Sequence, residues 1–298
     1  MSNEIRRMQS EIDDAAFLTL LESESEALSV YNIGFVLPGK ARDKIVGCLG
    51  GSGTLATIDG VDGILTAAHV VRKFRAHKHL GLILSRYPRT ESHAFVFHTD
   101  LSRVVEYYTR PDSPAEGPDI AFLALPPNTI STLKAKKSFY NLTKRRETML
   151  DRPPPRDYGW WAVWGIADEW TMDLPAWDAP PNIKTKGYHG RLLARLFPYG
   201  WRTADSFDYF KFDVVYGDDC GAPQSFGGYS GGSVWQLLVA PDGSGGFKVV
   251  SRHLMGVPFY ESDIFARDGN TVREVICHGP ESIYRTLIDR MRQQSAAA

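Results

Sequence analysis

Cysteine is scarce: the chain holds three, Cys48, Cys220 and Cys277, and none lies in a CxxC spacing. That excludes a dense disulfide framework and a cysteine-built zinc or redox centre, and it predicts reduced thiols. Excess charge is missing as well. The formal net charge is -1, from 34 basic and 35 acidic residues, which argues against a polyanion-binding surface as the main purpose of the fold. No apolar run approaches the roughly 20 residues that a bilayer span needs. The opening Met1-Ser2-Asn3-Glu4-Ile5-Arg6-Arg7 leads into the acidic Glu11-Ile12-Asp13-Asp14 and not into the apolar stretch of a secretory leader. These absences predict a cytoplasmic protein that has neither nucleic acid nor membrane as a partner. There is no phosphate loop and no dinucleotide fingerprint. His77 with His79, and His93 with His98, lack companion cysteines or carboxylates at a ligand spacing, so no metal and no cofactor is expected.

What the chain does have is apolar material in short pieces. With 298 residues, 43% of them hydrophobic, a substantial core is possible. From residue 33 onward, β-like runs alternate with Gly and Asp, at residues 33–37, 45–49, 54–58, 64–66, 80–84, 93–98, 104–108, 120–125, 160–164, 208–216, 233–239 and 247–260. Many short strands without helices between them predict an all-β sandwich or barrel. A helix is expected at each end. Ser10 and Asp13 precede an apolar stripe of Ala15, Ala16, Phe17, Leu18, Leu20 and Leu21, read as a helix that docks on the core. Tyr284, Leu287, Ile288 and Met291 sit at helical spacing near the C-terminus. The expected division is an N-terminal helical segment at 1–30, a β domain at 31–278 and a C-terminal helix with its tail at 279–298. Two stretches break the β pattern. Residues 134–155, rich in Lys and Arg and closed by Pro153-Pro154-Pro155, read as a long surface connection, and residues 170–201, rich in Pro, Trp and Tyr, read as a loop over the sheet or beside a cleft.

One stretch is built to turn sharply: Phe226-Gly227-Gly228-Tyr229-Ser230-Gly231-Gly232-Ser233. Such a density of glycine lets backbone amides approach a bound atom and displays the serine, although Gly and Ser also make ordinary hairpin loops. A serine hydroxyl is a poor nucleophile at neutral pH unless a histidine takes its proton and a carboxylate fixes the histidine tautomer. Thr66-Ala67-Ala68-His69 follows a predicted strand, and Pro118-Asp119 precedes another. Each signal alone has a structural explanation. Together they stand in the order His69, Asp119, Ser230, with separations of 50 and 111 residues, and chain order is what distinguishes the unrelated folds that carry such a set.

The three motifs Thr66-Ala67-Ala68-His69, Asp119-Ile120-Ala121 and Gly228-Tyr229-Ser230-Gly231-Gly232 resemble those of the trypsin/chymotrypsin-like serine peptidases, in character the intracellular or bacterial ones. The resemblance implies two antiparallel six-stranded β-barrels with a boundary near 126–158 and the active site in the cleft between them. It also implies hydrolysis of peptide bonds in a protein or peptide substrate through an acyl-enzyme on Ser230. His69 would be the base and acid, Asp119 its orienter, and the amides of Gly228 and Ser230 the oxyanion hole. Gln224 would lie at the floor of the specificity pocket, and Pro258, Phe259 and Tyr260 would line it. The chain departs from the digestive members at Tyr229, where they carry an aspartate that pairs with a freshly cut N-terminus. Regulated cleavage of a specific protein, with a possible regulatory protein partner, is the expected use. Two alternatives remain open: a latent or inactive scaffold of the same fold that binds, and an α/β-hydrolase esterase using Ser230, Asp263 and His278.

Overall fold

The computed structural model describes residues 14–41, 44–75, 77, 79–84, 93–98, 104–108, 115–170, 172–174, 185–187, 190–216, 222–243 and 246–297. Helix α1 (Asp14–Ser29) realises the expected N-terminal helix; the Ser10 start lies outside the described residues. Phe17 packs edge-on against Trp160, ring centroids 4.9 Å apart. Glu24, 3% exposed, accepts two hydrogen bonds from Arg252, at 2.5 and 2.7 Å. Beyond the helix, the buried ammonium of Lys137 donates to the carbonyls of Ser29 and Asn32. The carboxamide oxygen of Asn32 in turn accepts from Ser233 at 2.7 Å. The helix is therefore wired into the body by buried polar contacts as well as by its apolar face.

The first sheet contains β1 (Asn32–Ala41), β2 (Lys44–Ile58), β3 (Val61–Thr66), β4 (His79–Leu84), β5 (His93–His98), β6 (Val104–Tyr108), β7 (Asp119–Ala124) and β8 (Tyr140–Asn141). Its order is β5-β4-β1-β2-β3-β7-β6 and its pairs are antiparallel, with β8 added in parallel beside β2. The runs at 45–49 and 54–58, expected as separate strands, are one strand, which pairs with β1 up to Thr54, with a register shift at Phe35/Val36, and with β3 from Thr54 to Ile58. The second sheet contains β9 (Trp160–Ile166), β12 (Gly190–Leu196), β13 (Tyr199–Ala204), β14 (Phe207–Tyr216), β15 (Ser233–Pro241), β16 (Phe247–Glu261), β17 (Phe265–Arg267) and β18 (Asn270–His278). Its order is β12-β9-β15-β16-β18-β14-β13, with β17 beside β18; β10 (Met172–Leu174) and β11 (Thr185–Gly187) form a separate pair.

The chain is thus mostly β, in two antiparallel sheets. In place of six strands per barrel each sheet has eight, and neither ladder closes on itself among the described residues. Helices do lie between the strands: α2 (Ala68–Phe74), α3 (Pro127–Lys134) and α4 (Leu142–Asp151). The basic stretch 134–155 is therefore largely helical, held by buried Leu142 and Met149, and the stretch 170–201 carries β12 and the start of β13. The C-terminal helix is present as a π-turn, Glu281–Leu287, continued by α5 (Ile288–Ala297). One apolar cluster spans both sheets, with Phe35, Leu55 and Phe122 from the first and Trp164, Trp235 and Leu254 from the second. No helix among the described residues is long and apolar enough to cross a membrane. Cys48 and Cys277 are free thiols, and Cys220 lies outside the described residues.

Candidate active site

Strand β3 ends at Thr66, and two residues later α2 begins with its buried face, Ala68, Val70, Val71 and Phe74, turned to the core. That packing leaves His69 on the other side of the first turn, with its side chain 22% exposed. Asp119 opens β7, a strand buried along its whole length. Its Oδ2 lies 2.6 Å from His69 Nδ1, and its Oδ1 accepts the His69 backbone N–H at 2.8 Å. One carboxylate thus holds both the ring and the backbone of the histidine. A carboxylate can only accept, so the ring proton sits on Nδ1 and the Nε2 lone pair is left outward. Among the described residues Nε2 has no hydrogen-bond partner.

The serine loop can be followed amide by amide. Gly227 N–H donates to Ser225 Oγ, Tyr229 N–H to Phe226, Gly231 N–H to Pro258 and Gly232 N–H to Tyr229. The amides of Gly228 and Ser230 have no partner among the described residues, and these are the two that the peptidase resemblance implies as donors to an oxyanion. Gly228 takes φ +97°, a backbone state that side chains resist. The loop is docked on β2 of the first sheet: Ser52 N–H donates to the Ser230 carbonyl at 2.9 Å, and Ser52 Oγ to the Gly228 carbonyl at 2.7 Å. A Cβ on Gly231 would lie 2.8 Å from the Ala67 nitrogen, two residues before His69. Ser230 Oγ itself makes no hydrogen bond to His69 among the described residues.

Tyr229 stands where digestive peptidases carry an aspartate, and the structure gives it a different task. Its ring is 1% exposed, packs against Phe226 with centroids 4.9 Å apart, and sits over Gly165 of β9, where any Cβ would collide with it. Apolar packing on β9 holds the loop at this position.

A shallow pocket beside Ser230 is lined by Pro258, Phe259 and Tyr260 from the expected set, and also by Phe226, Tyr229 and Glu261. Gln224 is exposed and does not line it. Its backbone N–H donates to Glu169, as does that of Ser225, while Phe226 N–H donates to Glu261. Two carboxylates therefore hold the segment before the serine by its amides. Neither was legible in sequence, because isolated acids mark no pattern. Strand β16 pairs with β15 as far as Gly256 and with β18 from Val257 onward. Residues 257–261 thus have a strand on one side and, among the described residues, no strand on the other.

His278 entered the sequence reading only through the alternative esterase set. As part of an esterase set it would follow Asp263, but Asp263 is exposed, and Ser230 is followed by strand β15 where a nucleophile elbow needs a helix. His278 instead lies behind Asp119, with Nε2 accepting the Asp119 backbone N–H at 2.9 Å.

No family model matches the chain, and no curated protein matches it. A solved structure similar to it, described as "Aromatic interactions drive the coupled folding and binding of the intrinsically disordered Sesbania mosaic virus VPg protein", shares 14% identity over 83% of this chain and 85% of that chain, with a TM-score of 0.33. A likeness at that level carries no argument about fold or activity.

Proposed function

We propose that the chain is a serine endopeptidase of the chymotrypsin-like two-barrel type, acting through Ser230, His69 and Asp119. The observation that carries this reading is the double hold of Asp119 on His69, at 2.6 Å to the ring and 2.8 Å to the backbone, in the same sheet whose strand β2 holds the serine loop through Ser52. In the proposed reaction Ser230 Oγ attacks a substrate carbonyl carbon and its proton passes to His69 Nε2. The resulting oxyanion is met by the amides of Gly228 and Ser230, each such donor contributing about 2.7 to 4 kcal/mol in comparable sites. Collapse breaks the C–N bond, His69 gives its proton to the departing amine, and an ester remains on Ser230. Water then repeats the cycle and restores the hydroxyl. The edge at residues 257–261, which has no strand beside it among the described residues and whose Pro258 carbonyl is taken by Gly231, offers its remaining main-chain groups to an extended substrate, with Phe259 and Tyr260 beside its side chains. No cofactor enters this scheme.

A protein substrate cut at a specific place fits the shallow pocket better than broad digestion does. A second reading, a latent scaffold of the same fold, is favoured by one observation: Ser230 Oγ and His69 are not hydrogen-bonded here. Against it, catalytic hydrogen bonds in substrate-free enzymes are often long and tighten on binding. A serine-directed fluorophosphonate probe separates the two. Labelling of the full chain that disappears in Ser230→Ala supports the peptidase, and no labelling under any condition supports the scaffold. Rapid cutting of unfolded casein at many unrelated sites would count against a specific substrate.

A further inference from the structure

His278 ends β18 in the second sheet, and Asp119 opens β7 in the first, so the bond between them crosses from sheet to sheet. An amide N–H can only donate, so His278 Nε2 presents its lone pair and the ring proton sits on Nδ1, 3.1 Å from Ser282 Oγ. Ser282 lies in the first turn of the C-terminal helical segment. Its hydroxyl is 2.9 Å from both the carbonyl and Oδ1 of Asp208, and its backbone N–H donates to Asp208 Oδ1 at 2.7 Å. Both ring nitrogens are thus used, in one direction: Asp119 to His278 to Ser282 to Asp208. The rings of Phe207, Tyr209 and Phe259 surround the imidazole at centroid distances of 5.8, 4.9 and 4.8 Å, and it is 0% exposed. Burial, with Arg202 as the second cause, pushes its pKa down to about 3, so the ring stays neutral. A charged ring would turn a second donor against the Asp119 N–H.

The place of this bond gives it a consequence. Strand β3 pairs with β7 only as far as Ala121, so at Asp119 the strand has β6 on one side, through Tyr108, and an imidazole where a strand would otherwise pair. We propose that His278 is a positioning residue for the His69–Asp119 pair. It holds the first peptide of β7 in the rotation that lets both carboxylate oxygens reach His69, and it makes the C-terminal helix part of the active-site frame. In its effect on rate this rests on the peptidase reading; in its effect on geometry it does not.

The test uses the full chain with His278→Leu, which removes the acceptor, and His278→Gln, whose Oε1 can still accept the Asp119 N–H. Two quantities are followed: fluorophosphonate labelling across probe concentrations, and the exchange-protected His69 Nδ1–H proton in 15N-resolved NMR. In His278→Leu the maximal labelling rate is expected to fall on the order of tenfold or more, with the half-saturating probe concentration unchanged and the His69 proton lost to exchange. His278→Gln is expected to recover both. A His278→Leu chain with the wild-type rate and proton signal overturns the proposal, and so does an equal loss in both variants, which would reduce His278 to a filler of its aromatic cage. If His278→Leu does not fold, Ser282→Ala, which frees the ring to change tautomer, must show the same two losses at a native melting temperature; unchanged values overturn the proposal. If the wild-type chain takes no label, the peptidase reading falls alone, and the proton signal in the Leu and Gln variants decides the positioning role.

Discussion

Asp119 is approached by an imidazole from each side, and the two are held for opposite ends. His69 has one nitrogen against the carboxylate and the other without a partner among the described residues, with 22% of its side chain exposed. His278 has both nitrogens engaged and no exposure. A side chain that is to carry protons needs one open nitrogen and some access to solvent, whereas one that fixes geometry must be prevented from titrating. On the proposed reading the same residue type serves two roles around one aspartate, and burial and partner count decide which.

The largest expected effect falls on the open side. His69→Ala should lower the fluorophosphonate labelling rate by on the order of 10⁶-fold with little change in melting temperature, since the ring is partly exposed; labelling within tenfold of wild type would erase the distinction between the two imidazoles. Asp119→Asn should cost about 10⁴-fold, because an amide holds the wrong histidine tautomer, and a labelling series across pH would measure it. Tyr229→Ala removes a buried ring from the serine loop and should destabilise by roughly 3 to 5 kcal/mol in denaturant unfolding while leaving the His278 side intact.

The smallest expected effect sharpens the buried side. The His278 pKa lies at about 3 in the fold against 6.5 for the free side chain, so below pH 6.5 the unfolded chain takes up a proton that the folded chain refuses. Stability from this group is therefore complete above pH 6.5 and lost as pH falls. By about pH 4 the loss should reach about 3 kcal/mol. His278→Gln lacks this step, and the difference between the two chains in unfolding at graded pH isolates it from the carboxylates. Asp208, whose pKa burial raises, changes stability in the opposite sense and is common to both.

The residues of the candidate site were legible because each motif is local. Thr66-Ala67-Ala68-His69, Asp119-Ile120-Ala121 and the glycine-rich serine loop each announce themselves within five residues, and the structure holds His69 against Asp119 with the serine loop bonded to β2 of the same sheet. What failed to show depends on pairing across the chain. Strand β18 hid because Arg273 and Glu274 interrupt its apolar residues; in the fold they reach Glu261 and Arg267 on neighbouring strands. Helices α3 and α4 hid because few apolar positions, such as Leu133, Leu142 and Met149, bury them, too few to show a helical period among the lysines and arginines. His278 was visible as a histidine, but its meaning lies in a neighbour 159 residues away.

The Lys137 ammonium at the end of α1 sets a limit on how the gene can be shortened. A version started at β1 would lose the Ser29 carbonyl that receives this cation and the Glu24 carboxylate that receives Arg252, leaving one positive group inside the core and another at its edge short of an acceptor. Trimming that begins after residue 30 should therefore yield aggregated material, the outcome expected of a leading helix that acts as a structural keel.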